Sequence, residues 1–252
     1  MEEILNNKKL ITTPDEAVDE FMGEQFIEWL SKYITHELEQ WPQLKMIATA
    51  EFRPEKIKKF LVQKYLDSKA VWGSQGGDPG FLGFAIANLS ESNDPAAETA
   101  LSVIEQKYEE EKQGLSLNLW LKLFKELDTS VDELNSTEPK EPTRNYVSEF
   151  SDLYSTSEWQ IVAGAMATYQ IMKIEESKAL LSLLQNNAKI SNSGLEILKL
   201  SATDDDKMII KPVKILEKIV FDKESKQQIW NGAKKQLEAR KHYYEKLIKY
   251  LE

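Results

Sequence analysis

Three consecutive aspartates, Asp204, Asp205 and Asp206, stand between two apolar stretches in LSATDDDKMII, and a second acidic run, Glu109, Glu110 and Glu111, stands earlier in YEEEKQ. Two unscreened carboxylates that meet inside a helical protein cannot both stay ionised cheaply. They share a proton, take a lysine partner or hold a cation. Tyr169 and Gln170, in MATYQIMKIEE, are the polar residues best suited to join such a site, with Tyr65 as a further wall. The chain has two histidines, His36 and His242, far apart in sequence, and no cysteine. A multi-histidine metal cluster within one chain is therefore ruled out, as are thiolate zinc sites, disulfides and cysteine nucleophiles.

Each candidate also has a plainer role. Thr203 could cap a helix whose first turn holds the three aspartates, where negative charge meets the positive end of the dipole. The other arrangement is a continuous helix that carries Asp206 inward. Glu109 belongs either to a solvated helix face or to the interior, and Gln170 to a hydrogen-bonded interior amide or to chemistry. His36, in YITHELEQW, is either a helix-end histidine or a metal ligand.

The elements that must position these residues are helical. Gly and Pro number only 10 and 8 in 252 residues, apolar positions recur at three and four, and strand-like alternation is nearly absent. A first helix is predicted from about Asp15 to Glu39, a second from Pro54, a short apolar one in FLGFAIANL after the loop GSQGGDPG, and another opening at Asp94-Pro95. NSTEPKEPTRN reads as a polar connection, with a long helical region from Ser157 to about Asn186, a segment from Ser193 through the aspartates, and a last helix from about Lys223 to Leu251. The expected organisation is a single domain over 1–252 with a flexible segment at 1–14.

The order of helices resembles the heme-oxygenase-like superfamily, in particular its thiaminase II (TenA), pyrroloquinoline-quinone synthase (PqqC) and CADD-type branch and the non-heme di-iron oxidases. FIEWLSKYITHELEQWPQLKMIATAEFRPEKIKKFLVQKYL is similar to their entry helices and SLNLWLKLFKELDTS to their fifth-helix pattern. The resemblance implies an all-α bundle of about seven to nine helices around a pocket. It also implies a ligand set of a Glu, a His seven residues on, a Glu on a later helix and a His-x-x-x-Asp-x-x-His run. Laid on this chain, that set falls on Glu109, Ser116, Gln170, Ala202, Asp206 and Ile209. Only two carboxylates survive, too few to hold two irons. Ala202, Asp206 and Ile209 would share one helix face, as would Glu109 and Ser116.

No metal is therefore expected, and the site is read as a degenerate di-iron centre. The expected function is binding of a small organic molecule in a central helical pocket, as a metal-independent enzyme, a pseudoenzyme or a partner subunit. The alternatives are a non-heme iron oxidoreductase using Asp206 and one of Glu109 to Glu111, with His36 as a further candidate ligand, and a heme protein ligated through His36. The thiaminase cysteine has no counterpart here. A net charge of -10 argues against nucleic acid and anionic membranes. The absence of a long apolar run points to a cytoplasmic protein, with a homodimer or a complex with an intact homologue as candidate assemblies.

Overall fold

The fold is built around one long helix whose first half is buried on every side. In the computed structural model, which describes residues 12–49, 51–73, 80–187, 189–203 and 208–250, this helix spans Trp159–Asn187 and buries an unbroken run from Val162 to Met172. A helix without a polar face must lie inside a layer of others. Thirteen α-helices and no strand occur among the described residues. In chain order they are α1 (Pro14–Glu20), α2 (Glu24–Gln40), α3 (Pro42–Thr49), α4 (Pro54–Trp72), α5 (Gly80–Ser90), α6 (Pro95–Lys112) and α7 (Leu115–Glu126). There follow α8 (Val131–Ser136), α9 (Glu141–Thr156), the central α10 (Trp159–Asn187), α11 (Glu196–Ala202), α12 (Pro212–Leu216) and α13 (Lys223–Leu247).

Helix α10 is packed by α13, α11, α3 and α2, while α4, α5, α6 and α9 form the adjoining layer. The core is one hydrophobic cluster reaching from Ala17 to Ile248. The closest approach is between α10 and α13. A Cβ at Gly164 would stand 2.2 Å from the Ile229 carbonyl oxygen, and one at Gly232 would stand 2.0 Å from that of Ile161. Only residues without a side chain let the two backbones meet there.

The all-helical reading agrees with the structure, but several boundaries differ. The single helix expected over Asp15–Glu39 is two, because Gly23 adopts φ +51° and donates its N–H to the Val220 carbonyl. Part of the expected N-terminal segment is ordered. Thr13 accepts from the Glu16 N–H while Glu16 reaches back to the Thr13 N–H, a reciprocal cap that starts α1. NSTEPKEPTRN is mostly helix, with a connection confined to 137–140, and α9 fills a stretch left unassigned. The short helices α1, α3, α8, α11 and α12 bring the number among the described residues above seven to nine. The expected loop at 73–80 lies largely outside the described residues, as do residues 1–11. No described helix is long and apolar enough to cross a membrane.

Candidate functional site

An enclosed cavity lies between α4, α6, α7, α10, α11 and α13, with room of about 50 Å³ for the centres of water-sized groups. What distinguishes its wall is charge. Lys64 comes from α4, Lys107 and Glu111 from α6, Lys173 and Glu176 from α10, and Arg240 from α13, with Asp67 of α4 paired to Lys64 outside the lining. On α4 the apolar stripe Ile57, Phe60 and Leu61 continues at helical spacing into Lys64 and Asp67, so these two charges point where apolar residues pack.

Four of the groups close into one network. Arg240 donates from Nε to Glu176 Oε1 at 2.6 Å, from Nη2 to Glu176 Oε2 at 2.6 Å and from Nη1 to Asp67 Oδ1 at 2.8 Å. Lys64 Nζ donates to Asp67 Oδ2 at 2.8 Å and to Glu176 Oε2 at 3.1 Å. All four side chains are at most 5 % exposed, so every charge depends on its partners. Burial by itself would raise the pKa of Glu176, but Arg240 and Lys64 outweigh it and hold the carboxyl at about 2. Tyrosine rings frame the cations. The Arg240 guanidinium carbon is 4.7 Å from the Tyr146 ring centre and 5.1 Å from that of Tyr243, and Lys64 Nζ is 4.8 Å from that of Tyr244.

A second group sits on the α6–α7 side. Glu111 accepts from Ser116 Oγ at 2.8 Å and from the Ser116 N–H at 3.1 Å, and Lys107 Nζ lies 3.2 Å from it. Lys173 differs from the other cations. Its Nζ donates to the Met208 carbonyl at 2.9 Å, and no carboxylate lies within 4.0 Å of it among the described residues. Its pKa is pulled down to about 8, chiefly by burial, with Lys107 adding to the effect and Glu111 and Glu176 opposing it. Ser201 Oγ, also on the wall, is buried without a hydrogen-bond partner.

The residues singled out in the sequence divide. Ser116, Tyr169 and Gln170 do line the cavity. Gln170 Oε1 accepts from the Ile210 N–H at 3.2 Å, and burial raises the Tyr169 hydroxyl pKa well above its usual value. Tyr65 is buried instead against Trp120 and Phe124. Glu109 is exposed, and the inward carboxylate is Glu111. The sharing of a face by Glu109 and Ser116 assumes a continuous helix, whereas the chain breaks between α6 and α7 at Gly114, with φ +84°, and the register shifts. Of the face expected for Ala202, Asp206 and Ile209, the two described residues, Ala202 and Ile209, do not share a helix. Thr203 ends α11 rather than starting a helix, bonding back to the Lys199 carbonyl, and Ile209 is buried beyond it outside any helix. Asp206, with the other two aspartates, lies outside the described residues. His36 and His242 are exposed and absent from the cavity wall, so a heme held through His36 would lie outside this cavity.

The donor set does not fit the iron pair that the resemblance implies. Ser116, Gln170, Ala202 and Ile209 stand at four of the six positions. The buried carboxylates Asp67, Glu111 and Glu176 are each held by lysine or arginine, and no group of three His, Cys, Asp or Glu capable of holding a metal occurs among the described residues.

The sequence over residues 24–196 matches the model of the TENA/THI-4/PQQC family. The chain belongs to that family. Two solved members share its fold. A TenA homolog from Pseudomonas syringae pv. tomato superposes with a TM-score of 0.67 at 11% identity, over 94% of this chain and 98% of that one. A TenA homologue from P. horikoshii gives 0.58 at 15% identity, over 91% and 100%. No curated protein matches in sequence. This TENA/THI-4/PQQC member therefore keeps the bundle of its relatives while lining its interior with ion pairs that reasoning from sequence missed. The signal was present in Lys64 and Asp67, which interrupt an apolar stripe, and in Arg240, four residues before the buried Tyr244.

Proposed function

We propose that this TENA/THI-4/PQQC member binds a small, negatively charged organic molecule in its central cavity and does so without a metal. The observation that carries this reading is the charge of the wall. Lys64, Lys107, Lys173 and Arg240 line it together with two carboxylates, Glu111 and Glu176, while Asp67 and the partly exposed Glu110 pair with these cations from outside the lining. A wall with more cations than carboxylates favours an anionic occupant, because a buried charge without a counter-charge is costly. The unpartnered Ser201 hydroxyl supports the reading, since a ligand oxygen would satisfy it. In this account the protein acts in the cytoplasm, as a metal-independent enzyme, a pseudoenzyme or a subunit of a larger assembly.

Mass spectrometry of untagged protein under native and denaturing conditions tests the proposal, together with metal analysis after growth in iron-supplemented medium. The expected result is a small anionic compound released on unfolding from the wild type, lost in Ser201→Phe, which fills the cavity, and no stoichiometric iron. Near-stoichiometric iron would replace the reading with the iron-oxidoreductase alternative. Retention of the same compound by folded Ser201→Phe would move the binding site elsewhere.

A further inference from the structure

We propose that Lys173 is a covalent capture residue: the cavity takes a small 2-oxo acid and holds it as an imine on the Lys173 amine. This rests on the reading of the cavity as a small-molecule site and adds the substrate class and the bond.

The placement of Lys173 is what an imine-forming lysine needs. It projects from the central helix onto the cavity wall, where its polar contact among the described residues is the Met208 carbonyl rather than a carboxylate. The other lysines there are committed, Lys64 to Asp67 and Glu176, and Lys107 to Glu111. A neutral amine has two N–H donors and one lone pair. Donating one N–H to Met208 leaves the lone pair free for a carbonyl carbon. The groups facing Lys173 are Lys107 and Glu111 from α6 and Glu176 on its own helix, and burial among them pulls its pKa down to about 8. A free amine is then available near neutral pH, as covalent lysine chemistry requires.

The carboxylate half of the substrate class follows from charge. With Lys64 and Arg240 paired to Asp67 and Glu176, and Lys107 to Glu110 and Glu111, Lys173 is the wall cation that has no carboxylate partner among the described residues, and an iminium keeps its positive charge. The product is therefore still matched by the substrate's own carboxylate. The space of about 50 Å³ corresponds to roughly three to five water-sized groups, the size of the smallest oxo acids.

The step balances. The amine nitrogen attacks the carbonyl carbon, and the C=O π pair moves to oxygen, which takes a proton to give a carbinolamine. The C–O bond then breaks as the nitrogen lone pair forms C=N. The oxygen leaves as water, both of whose protons come from the original ammonium. Glu111 is the carboxylate on the facing helix that can relay them. No oxidant or reductant is consumed.

The test uses glyoxylate as probe and sodium cyanoborohydride to reduce any imine, with the full-length protein held near pH 8 and labelling read by peptide mapping. Lys178, exposed on the same helix and paired with Glu175 at 2.7 Å, serves as internal reference. At that pH the neutral fraction of Lys173 exceeds that of an ordinary lysine by about a hundredfold. Saturable carboxymethylation of Lys173, at least about tenfold faster than of Lys178, is expected. The same preference should vanish in urea-unfolded protein. Labelling of Lys173 no faster than of Lys178 overturns the proposal. In that event, a glyoxylate-dependent rise in melting temperature would leave the anion-binding reading intact, whereas no rise would count against that reading for this probe as well. The ratio is read within wild-type protein, so it does not depend on a variant folding.

Discussion

Arg240 is the residue on which the buried charges most depend. Truncating one member of a fully buried network leaves the others uncompensated, which costs about 3–5 kcal/mol. Arg240→Met is therefore expected to lower unfolding free energy by that amount in urea titrations at pH 7, since Asp67 and Glu176 would keep only Lys64. The deficit has a pH signature. Glu176 has a folded pKa depressed to about 2 from an ordinary 4.5, so its stabilisation is complete above 4.5 and is lost as pH falls toward 2. The gap between wild type and variant should be flat above pH 5 and close below it. A gap of constant size down to pH 2.5 would show that the ion pairs are not its source. At this scale the sequence was partly legible. Ser116, Tyr169 and Gln170 were found from a family spacing, but Glu111 was passed over for Glu109. Three consecutive glutamates, each turned by about 100° from the last, do not say which faces inward once a glycine breaks the helix after them.

Among the elements, the pairing of α10 with α13 matters most, because these helices carry Lys173, Glu176 and Arg240. Their contact relies on Gly164 and Gly232, where an added Cβ would collide with backbone that has no freedom to move aside. Alanine is the better helix former by about 1 kcal/mol, yet Gly232→Ala should still destabilise the protein. Pushing the helices apart costs roughly 1–3 kcal/mol beyond that gain. Thermal unfolding of Gly164→Ala and Gly232→Ala gives the check, and an unchanged or raised melting temperature in both would refute the tight crossing. Element type was readable from periodicity and from Asp94-Pro95 and Pro54, which start α6 and α4. Element ends were less so. The break at Gly23 depends on a hydrogen bond to Val220, a partner far along the chain that no local pattern reveals.

For the molecule as a whole, the burial on all sides of the Val162–Met172 stretch of α10 implies a gradient of local stability. Amides in the middle of α10, between Val162 and Met172, are expected to exchange with deuterium only by global unfolding. Those of the short α1 and α8, each with at most two buried residues, should exchange far sooner. Equal rates in α10 and α8 would contradict the architecture. The bundle class was legible because apolar positions recurring at three and four, with low glycine and proline content, leave few other folds. The polar interior was not, because lysine and glutamate on a helix read as solvated until their neighbours are known. That interior also acts on alignment. Lys64 and Asp67, Glu176 and Arg240 belong to three separate helices, and each cation grips two acids. Sliding any one helix lengthwise by a single turn, about 5.4 Å, would strand ions in a dry interior. The quartet thus works as a key, admitting one vertical setting of three cylinders that greasy contacts alone would let slip.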